Sequence, residues 1–575
     1  MPDPNPGSLP RPMVKPAAPA LTPEELLAAA KKARKQVQPP PENKDGVREL
    51  VECVVFVVVL VLLLKSFVAE AFVIPTGSMA ETLLGYQKNV TCPECLYEFP
   101  VNCSQEVDPQ QSKHEDVTGC TCPNCRKHIV FKELGINPPW YTGDRVLVSK
   151  FLYDLDLMGM DHPNRYDVVV FKFPQAPQRD YVAMNYIKRL IGLPGETIAI
   201  YHGKLYHRDD IKYDDDKSHP LDMWRGDYTH RDEAAELFMK EEALEPRDRK
   251  FKILRKGPNK IMSERRLVYD NDHQATDLIS KIPSRWQSAV ASSWKSDDLR
   301  QPKRFETTGG GDSISWLRYQ HLIPREDRSG ARAELITDFM GYNTAETAER
   351  SHARPAENWV GDLMLECEVQ INAPQGQLVF ELSRGSDRFH ATWDLTTGKC
   401  TLSRLSDGRE DDLGTQDTLL KRAGKYRIRF ANVDERLMLW VDSSQPFGAG
   451  VVYDPPRQRG PTKNDLEPAS IGVKGTASLA VSSLKLWRDT YYTVNLGNNM
   501  PDAGQTVDLS LPDRWEPLMG LRPLTMYVQP GHYLCFGDNS PESSDGRSWG
   551  LVPERLLLGR AMLVYWPYWR AGIIH

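Results

Sequence analysis

The rhythm of apolar and polar positions divides this chain of 575 residues into unlike stretches. From Cys53 to Leu64 it is unbroken apolar (CVVFVVVLVLLL), and with breaks the apolar character runs on to Ile74. Beyond that point short runs dominate. Val146-Leu-Val-Ser149, Asp167 to Phe173, Glu196 to Ile200, Gly531 to Phe536 and Gly559 to Tyr565 are rich in β-branched and aromatic residues and bounded by Gly, Pro or Asp, which predicts strands. A polar, charged stretch at 207–262 interrupts them. From about 263 strict alternation returns: Leu363, Leu365, Cys367, Val369 and Ile371 alternate with polar residues, and 426–430, 437–441 and 479–487 follow suit. Several such strands with turn signals imply a β-sandwich over 263–492. The fold class read from this pattern is mainly β.

The strict core of the apolar run is short for a membrane span, for which roughly 20 residues are usual. Counting through Lys65, whose stem can reach outward, and on to Ile74 gives enough length, so 50–74 reads as one transmembrane helix. It starts too far into the chain for a cleavable leader. Lys31, Lys32, Arg34, Lys35, Lys44 and Arg48 precede it, whereas 66–85 holds no Lys or Arg. That asymmetry places the N-terminus in the cytoplasm and the rest outside. Residues 1–49 carry eleven prolines in their first 41 positions and read as a disordered arm, with one short helix starting at Thr22. The net charge of −6 and the lack of a basic stripe exclude a nucleic-acid partner. The aromatic run Tyr565–Trp569 fits a membrane interface or a packed strand end equally well.

Ser78 sits in a turn just past the apolar run, and Lys188 lies in the strand-like segment Asn185–Gly192. A serine hydroxyl needs a general base. A lysine can be that base only if burial keeps it neutral, and a strand would put Lys188 on one face with Tyr186 and Leu190. Alone, each residue reads as ordinary structure. Together with Ile74-Pro-Thr-Gly-Ser-Met-Ala-Glu-Thr-Leu83, Gly143–Phe151, Tyr166–Pro174, Tyr186–Glu196 and Gly537–Gly550, in that order, they resemble bacterial type I signal peptidases, a Ser/Lys protease family. The likeness covers about 50–90, 140–206 and 505–568.

The resemblance implies a β catalytic core at 75–90, 140–206 and 505–575, with Ser78 as nucleophile and Lys188 as general base. It further implies Thr76 and the Ser78 amide as oxyanion donors, Ser543 as the group that orients the lysine, and Asp538, Asp545 and Arg547 as bracing. Ile74, Leu83 and Ile187 match a pocket for small residues. The implied activity is removal of signal peptides from exported preproteins at the plasma (inner) membrane, beside the translocation machinery, with no catalytic cofactor. Glu81 stands where the family usually has proline, and Ser540 and Gly546 replace an arginine and a serine. None of these removes a group the chemistry needs.

Two Cys-x-x-Cys knuckles, Cys92/Cys95 and Cys122/Cys125, fall within an insert at 91–132. Two readings stand: a tetrahedral structural zinc, favoured by the paired knuckles, or disulfides, favoured by export. Cys103 and Cys120 form a candidate separate bridge, and Cys53 and Cys535 read as buried apolar residues. The sandwich resembles a concanavalin-like jelly roll, which leaves a structural or docking module, or a glycan or envelope partner. Two rivals to the peptidase reading stand, a catalytically weak membrane scaffold whose zinc insert and sandwich bind envelope partners, and a self-cleaving repressor-type protease. The catalytic motifs flank residues 205–505, so the ends of that segment are expected close together. The sandwich is expected to be autonomous and dispensable for peptide cleavage.

Overall fold

A computed structural model describes residues 22, 24–25, 27–28, 31–32, 46–63, 69–109, 114–150, 163–175, 178, 180–213, 232–290, 293–309, 311–348, 358–455, 459–494, 510–516 and 519–575. The chain divides into two units, Met1–Ser66 and Phe67–His575.

In the first unit Gly46–Leu63 forms an α-helix. Its apolar residues are exposed, from 41% at Leu60 to 77% at Val47. Among the described residues no helix is long and apolar enough to cross a membrane. Arg48, Glu49 and Glu52 occupy its first two turns, and 64–68 lie outside the described residues. The expected span over 50–74 also ends early. Ala69–Val73 is a strand paired with Arg145–Ser149, and Ile74 is buried beyond it. The correction has a plain cause: Phe72 and Ile74 alternate with exposed positions and pack into one apolar cluster, which a strand allows. Cys53, expected to be buried, is exposed on the helix. Most of the expected N-terminal arm lies outside the described residues, though Thr22 N donates to Glu25 Oε2 at 3.0 Å.

The second unit is built of β-sheets. One eight-stranded sheet runs in the order Ala69–Val73, Arg145–Ser149, Leu557–Trp566, Val168–Gln175, Asp180–Gly192, His532–Phe536, Val552–Pro553, with Gly572–Ile573 on Leu557–Trp566. A four-stranded sheet joins Thr197–Tyr201 to Lys204–Arg208 and Leu524–Tyr527, with Lys252–Ile253 at its edge. An eight- and a seven-stranded sheet, spanning Arg266 to Arg488, share a core that includes Phe380, Phe389, Trp393 and Phe430. Leu363, Leu365, Cys367, Val369 and Ile371 all point into that core, each at most 2% exposed. Burying side chains of that size contributes about 1.5–3 kcal/mol apiece.

Residues 207–262, expected as a polar linker, are corrected in part. Asp232–Glu242 is a helix, Pro258–Glu264 another, and Phe238 and Phe251 pack in a cluster of their own. The charges that suggested a linker are used internally: Glu241 is buried and accepts from Lys250 N and Phe251 N. Residues 214–231 lie outside the described residues.

Candidate active site

Lys188 lies in the middle of Asp180–Gly192, opposite Val169 on one neighbour and two residues from Leu190, which pairs with Cys535 on the other. Alternation sends Ile187 toward Ile74 and Leu83, and Tyr186 and Leu190 toward Val169, Phe171 and Cys535. The Lys188 side chain passes over the Tyr186 ring, its Nζ 5.8 Å from the centroid. Burial of the ammonium lowers its pKa to about 8. Asp545 pulls the value back up, Arg547 pushes it down, and Asp538 raises it again.

Ser78 arrives from the opposite side, in the 3-10 turn Gly77–Met79 that follows the strand Ala69–Val73. Lys188 Nζ donates to Ser78 Oγ at 2.5 Å, across 110 residues of sequence. Ser78 is half-buried and Lys188 is 3% exposed, so the pair has a wet side and a dry side.

The loop after His532–Phe536 closes the site. Asn539 N donates to Ser78 O at 3.1 Å and Asn539 Nδ2 to Gly77 O at 3.0 Å. Asp545 accepts from Gly537 N at 2.9 Å and pairs with Arg547 at 2.7 Å. Arg547 also donates to Thr493 O and to both oxygens of Ser540, so Ser540 serves as an anchor for the guanidinium. Asp538 takes both arms of the fully buried Arg189 at 2.6 and 2.7 Å. Glu264 lies 2.8 Å from the same guanidinium, and burial raises its carboxyl to about 7.

Ser543 is buried and its hydroxyl has no hydrogen-bond partner. It lies against Gly537, where an added Cβ would come within 2.2 Å of Ser543 Oγ and 2.4 Å of Ser78 O. Thr76 caps the turn with its backbone only, so its hydroxyl makes no cap bond. Ile74, Leu83 and Ile187 do share one cluster, but Ile74 and Leu83 are enclosed and only Ile187 is partly exposed.

The four knuckle cysteines also come together. Their Sγ atoms all lie within 4.8 Å of one another, with Cys92–Cys125 at 3.5 Å and Cys95–Cys122 at 3.6 Å. Tetrahedral zinc with Zn–S near 2.3 Å places its sulfurs about 3.8 Å apart, whereas a disulfide requires about 2.05 Å. The donor set is compatible with a structural zinc. Cys103 and Cys120 are separate free thiols, so the bridge expected between them is absent.

The sequence gives no sign of the groups that hold the Ser78 loop from outside. Arg266 Nη2 donates to Ala80 O at 3.1 Å, Leu84 N donates to Asp144 Oδ2 at 2.9 Å, and Arg570 bridges Asp144 and the carbonyls of Glu81 and Thr82. Asn539 lies within the motif Gly537–Gly550, but nothing in its spacing says that it bonds two carbonyls of the serine turn.

Comparison with known families fits this geometry. Residues 127–263 and 498–566 match the family described as signal peptidase, peptidase S26. Lys188, Ser543 and the Asp545–Arg547 pair fall inside the S26 match, and Ser78 falls outside it. Signal peptidase I of Pseudomonas aeruginosa is 40% identical over 70 residues, which is 11% of this chain and 23% of that protein. Signal peptidase I V of Bacillus subtilis is 37% identical over 73 residues, 13% of this chain and 36% of its own length. The chain thus spans under a quarter of the first of these relatives. Among solved structures, the carbohydrate-binding module CBM66 of Bacillus subtilis overlaps 36% of this chain and 96% of its own, at 11% identity and a TM-score of 0.21. Galectin LEC-6 of Caenorhabditis elegans overlaps 22% of this chain and 83% of its own, at 15% identity and a TM-score of 0.17. Likeness at that level says nothing of what this sandwich binds.

Proposed function

We propose that this chain is a membrane-anchored serine endopeptidase that removes signal peptides from exported preproteins after small residues. The observation that carries the reading is the 2.5 Å contact between Ser78 Oγ and the amine of a buried lysine whose pKa is lowered to about 8. The S26 match around Lys188 supports it.

In the proposed reaction the neutral Lys188 amine takes the proton of Ser78 as Oγ attacks the scissile carbonyl. The resulting oxyanion sits against the Ser78 amide and the Thr76 hydroxyl, each donor being worth about 2.7–4 kcal/mol in comparable sites. Lys188 returns its proton to the leaving amine, then activates the water that releases the acyl group. Ser543, with a buried unpartnered hydroxyl, can accept from the amine and fix its direction. Asp538, Asp545 and Arg547 hold the surrounding loop. Ile74 and Leu83 form the floor, and Ile187 the rim, of a pocket that favours small side chains. The chemistry calls on no cofactor. Zinc at the four cysteines is structural.

The anchor is the helix Gly46–Leu63 with the apolar residues that follow, its side chains exposed on all sides as lipid requires. The preceding lysines and arginines keep the N-terminus cytoplasmic and the peptidase outside, at the plasma (inner) membrane. A lipid-facing rim accords with the register that sets exposed Val73, Arg145 and exposed Trp566 in one row, near exposed Tyr568 and Trp569. Preproteins would arrive from the translocation machinery, and the sandwich would contact a glycan or another envelope partner.

The test is cleavage in trans. Purified full chain in detergent should cut a preprotein after a small residue, and the Ser78→Ala protein should not. A wild-type protein that leaves the preprotein intact would favour the catalytically weak scaffold instead.

A further inference from the structure

Between the sandwich and the serine turn runs a short segment, Met340–Glu346, that touches both the cysteine centre and Ser78. At one end Glu346 adds to the edge of the second knuckle hairpin: its amide donates to Gly119 O at 3.0 Å, and its carbonyl accepts from Thr118 N at 2.8 Å. Its carboxylate lies 2.6 Å from His128 Nε2. Thr344 Oγ1 accepts from Thr121 N at 2.9 Å, one residue before the ligand Cys122. Gly341 lies against Pro123, inside the second knuckle, where an added Cβ would come within 2.8 Å of the ring.

The other end of the segment reaches the nucleophile. Tyr342 is 1% exposed and its ring covers Gly77, leaving no room for a side chain there. Met340 and Tyr342 close a small apolar cluster with Ala80 and Leu84 of the serine loop. Asn343 and Asn539 form a reciprocal amide pair at 2.7 and 2.8 Å. Asn539 is the residue that holds Gly77 O and Ser78 O.

We propose that the strap Met340–Glu346 positions Ser78 for reaction and transmits zinc occupancy of the four-cysteine centre to it. The inference rests on the Ser/Lys reading and adds two positioning residues, Tyr342 and Asn343, supplied from the sandwich side of the chain. Zinc held by Cys92 and Cys95 of one knuckle and Cys122 and Cys125 of the other would tie the two knuckles together. Fixed knuckles give Thr344 and Glu346 their backbone partners. The strap then holds the turn whose hydroxyl must stay within reach of Lys188. A misplacement of about 1 Å at a reacting atom costs up to about 100-fold in rate.

The experiment uses the full chain in detergent, with zinc content, hydrogen exchange and steady-state cleavage read on the same samples. Wild type should hold one zinc. Chelation should speed exchange in segments 76–84 and 340–346, lower kcat at least about tenfold and leave KM within about twofold, with recovery on zinc addition. Asn343→Ala should lower kcat by about tenfold while keeping its zinc and a lysine pH limb near 8. Tyr342→Phe, which keeps the ring, should retain far more activity than Tyr342→Ala. A chain that binds no zinc overturns the proposal. So does unaltered exchange at 76–84 after zinc removal, or wild-type kcat in Asn343→Ala. If Ser78→Ala is inactive while Asn343→Ala is fully active, only the strap proposal falls. If Ser78→Ala still cleaves, the dyad reading falls first.

Discussion

Burying an ammonium without a carboxylate partner costs stability, and Lys188 makes that cost measurable. The ordinary lysine value of 10.5 falls to about 8 in the folded chain. Because the folded value is the lower one, the folded state holds fewer protons than the unfolded state between about 8 and 10.5. Stability is therefore lost as pH falls through that window and stays lost below it. Each unit is worth 1.36 kcal/mol, so the full cost is about 3 kcal/mol at pH 7 and under about 1 kcal/mol at pH 10. Lys188→Met keeps an unbranched apolar stem and removes the titrating amine. It forfeits the bond to Ser78 Oγ, worth about 1 kcal/mol at any pH. Relative to wild type, the variant should thus gain about 2.5 kcal/mol in stability on going from pH 10 to pH 7. Urea unfolding of both proteins at the two pH values reads this double difference, in which other titrating groups cancel. A double difference near zero would mean that Lys188 titrates as an ordinary solvent lysine, and would refute its burial as the source of its basicity.

Two further outcomes follow from the same geometry. Asp538→Asn leaves the fully buried Arg189 guanidinium with Glu264 and the carbonyls of Tyr166 and His575 as its remaining partners among the described residues, and should cost about 3–5 kcal/mol, seen as a lowered thermal midpoint; a loss under about 1 kcal/mol would show that Glu264 carries the charge. Replacing residues 263–488 with a short Gly/Ser linker should abolish peptide cleavage, because it removes Arg266, Tyr342 and Asn343 from the serine loop and Glu264 from Arg189; a folded, active deletion variant would restore the autonomous-insert view.

That last outcome reverses what the sequence suggests, and the reason is physical. Alternation such as Leu363 to Ile371 reports which face of a strand is buried, and the part of the Asp180–Gly192 strand from Asn185 onward was legible in the same way, down to Ile187 and Leu190 facing opposite clusters. The pairing of Ser78 with Lys188 was legible only through motif order, since no local rule joins residues 110 apart. Strap contacts were not legible at all. Gly341-Tyr-Asn343 has the composition of an ordinary turn, and its value lies in what three distant segments place around it. The charged stretch after 207 misled for a related reason. Charge density signals solvent unless the partners are known, and Glu241 and Glu264 find theirs only in the folded chain. The span misled at its C-terminal end because apolar residues in 69–74 suit a buried strand as well as lipid.

The most direct test of the Ser78–Lys188 dyad is the pH dependence of kcat/KM for a peptide substrate cleaved by the full chain. Only the neutral amine accepts a proton, so with a pKa of about 8 the competent fraction is about one half at pH 8, about 9% at pH 7 and about 1% at pH 6. The dyad predicts a tenfold fall per unit below pH 7, a plateau above about 9, and no measurable cleavage by Lys188→Met at any pH. A profile that stays flat from pH 6 to 9, or a Lys188→Met protein that cleaves along the same curve, would contradict it.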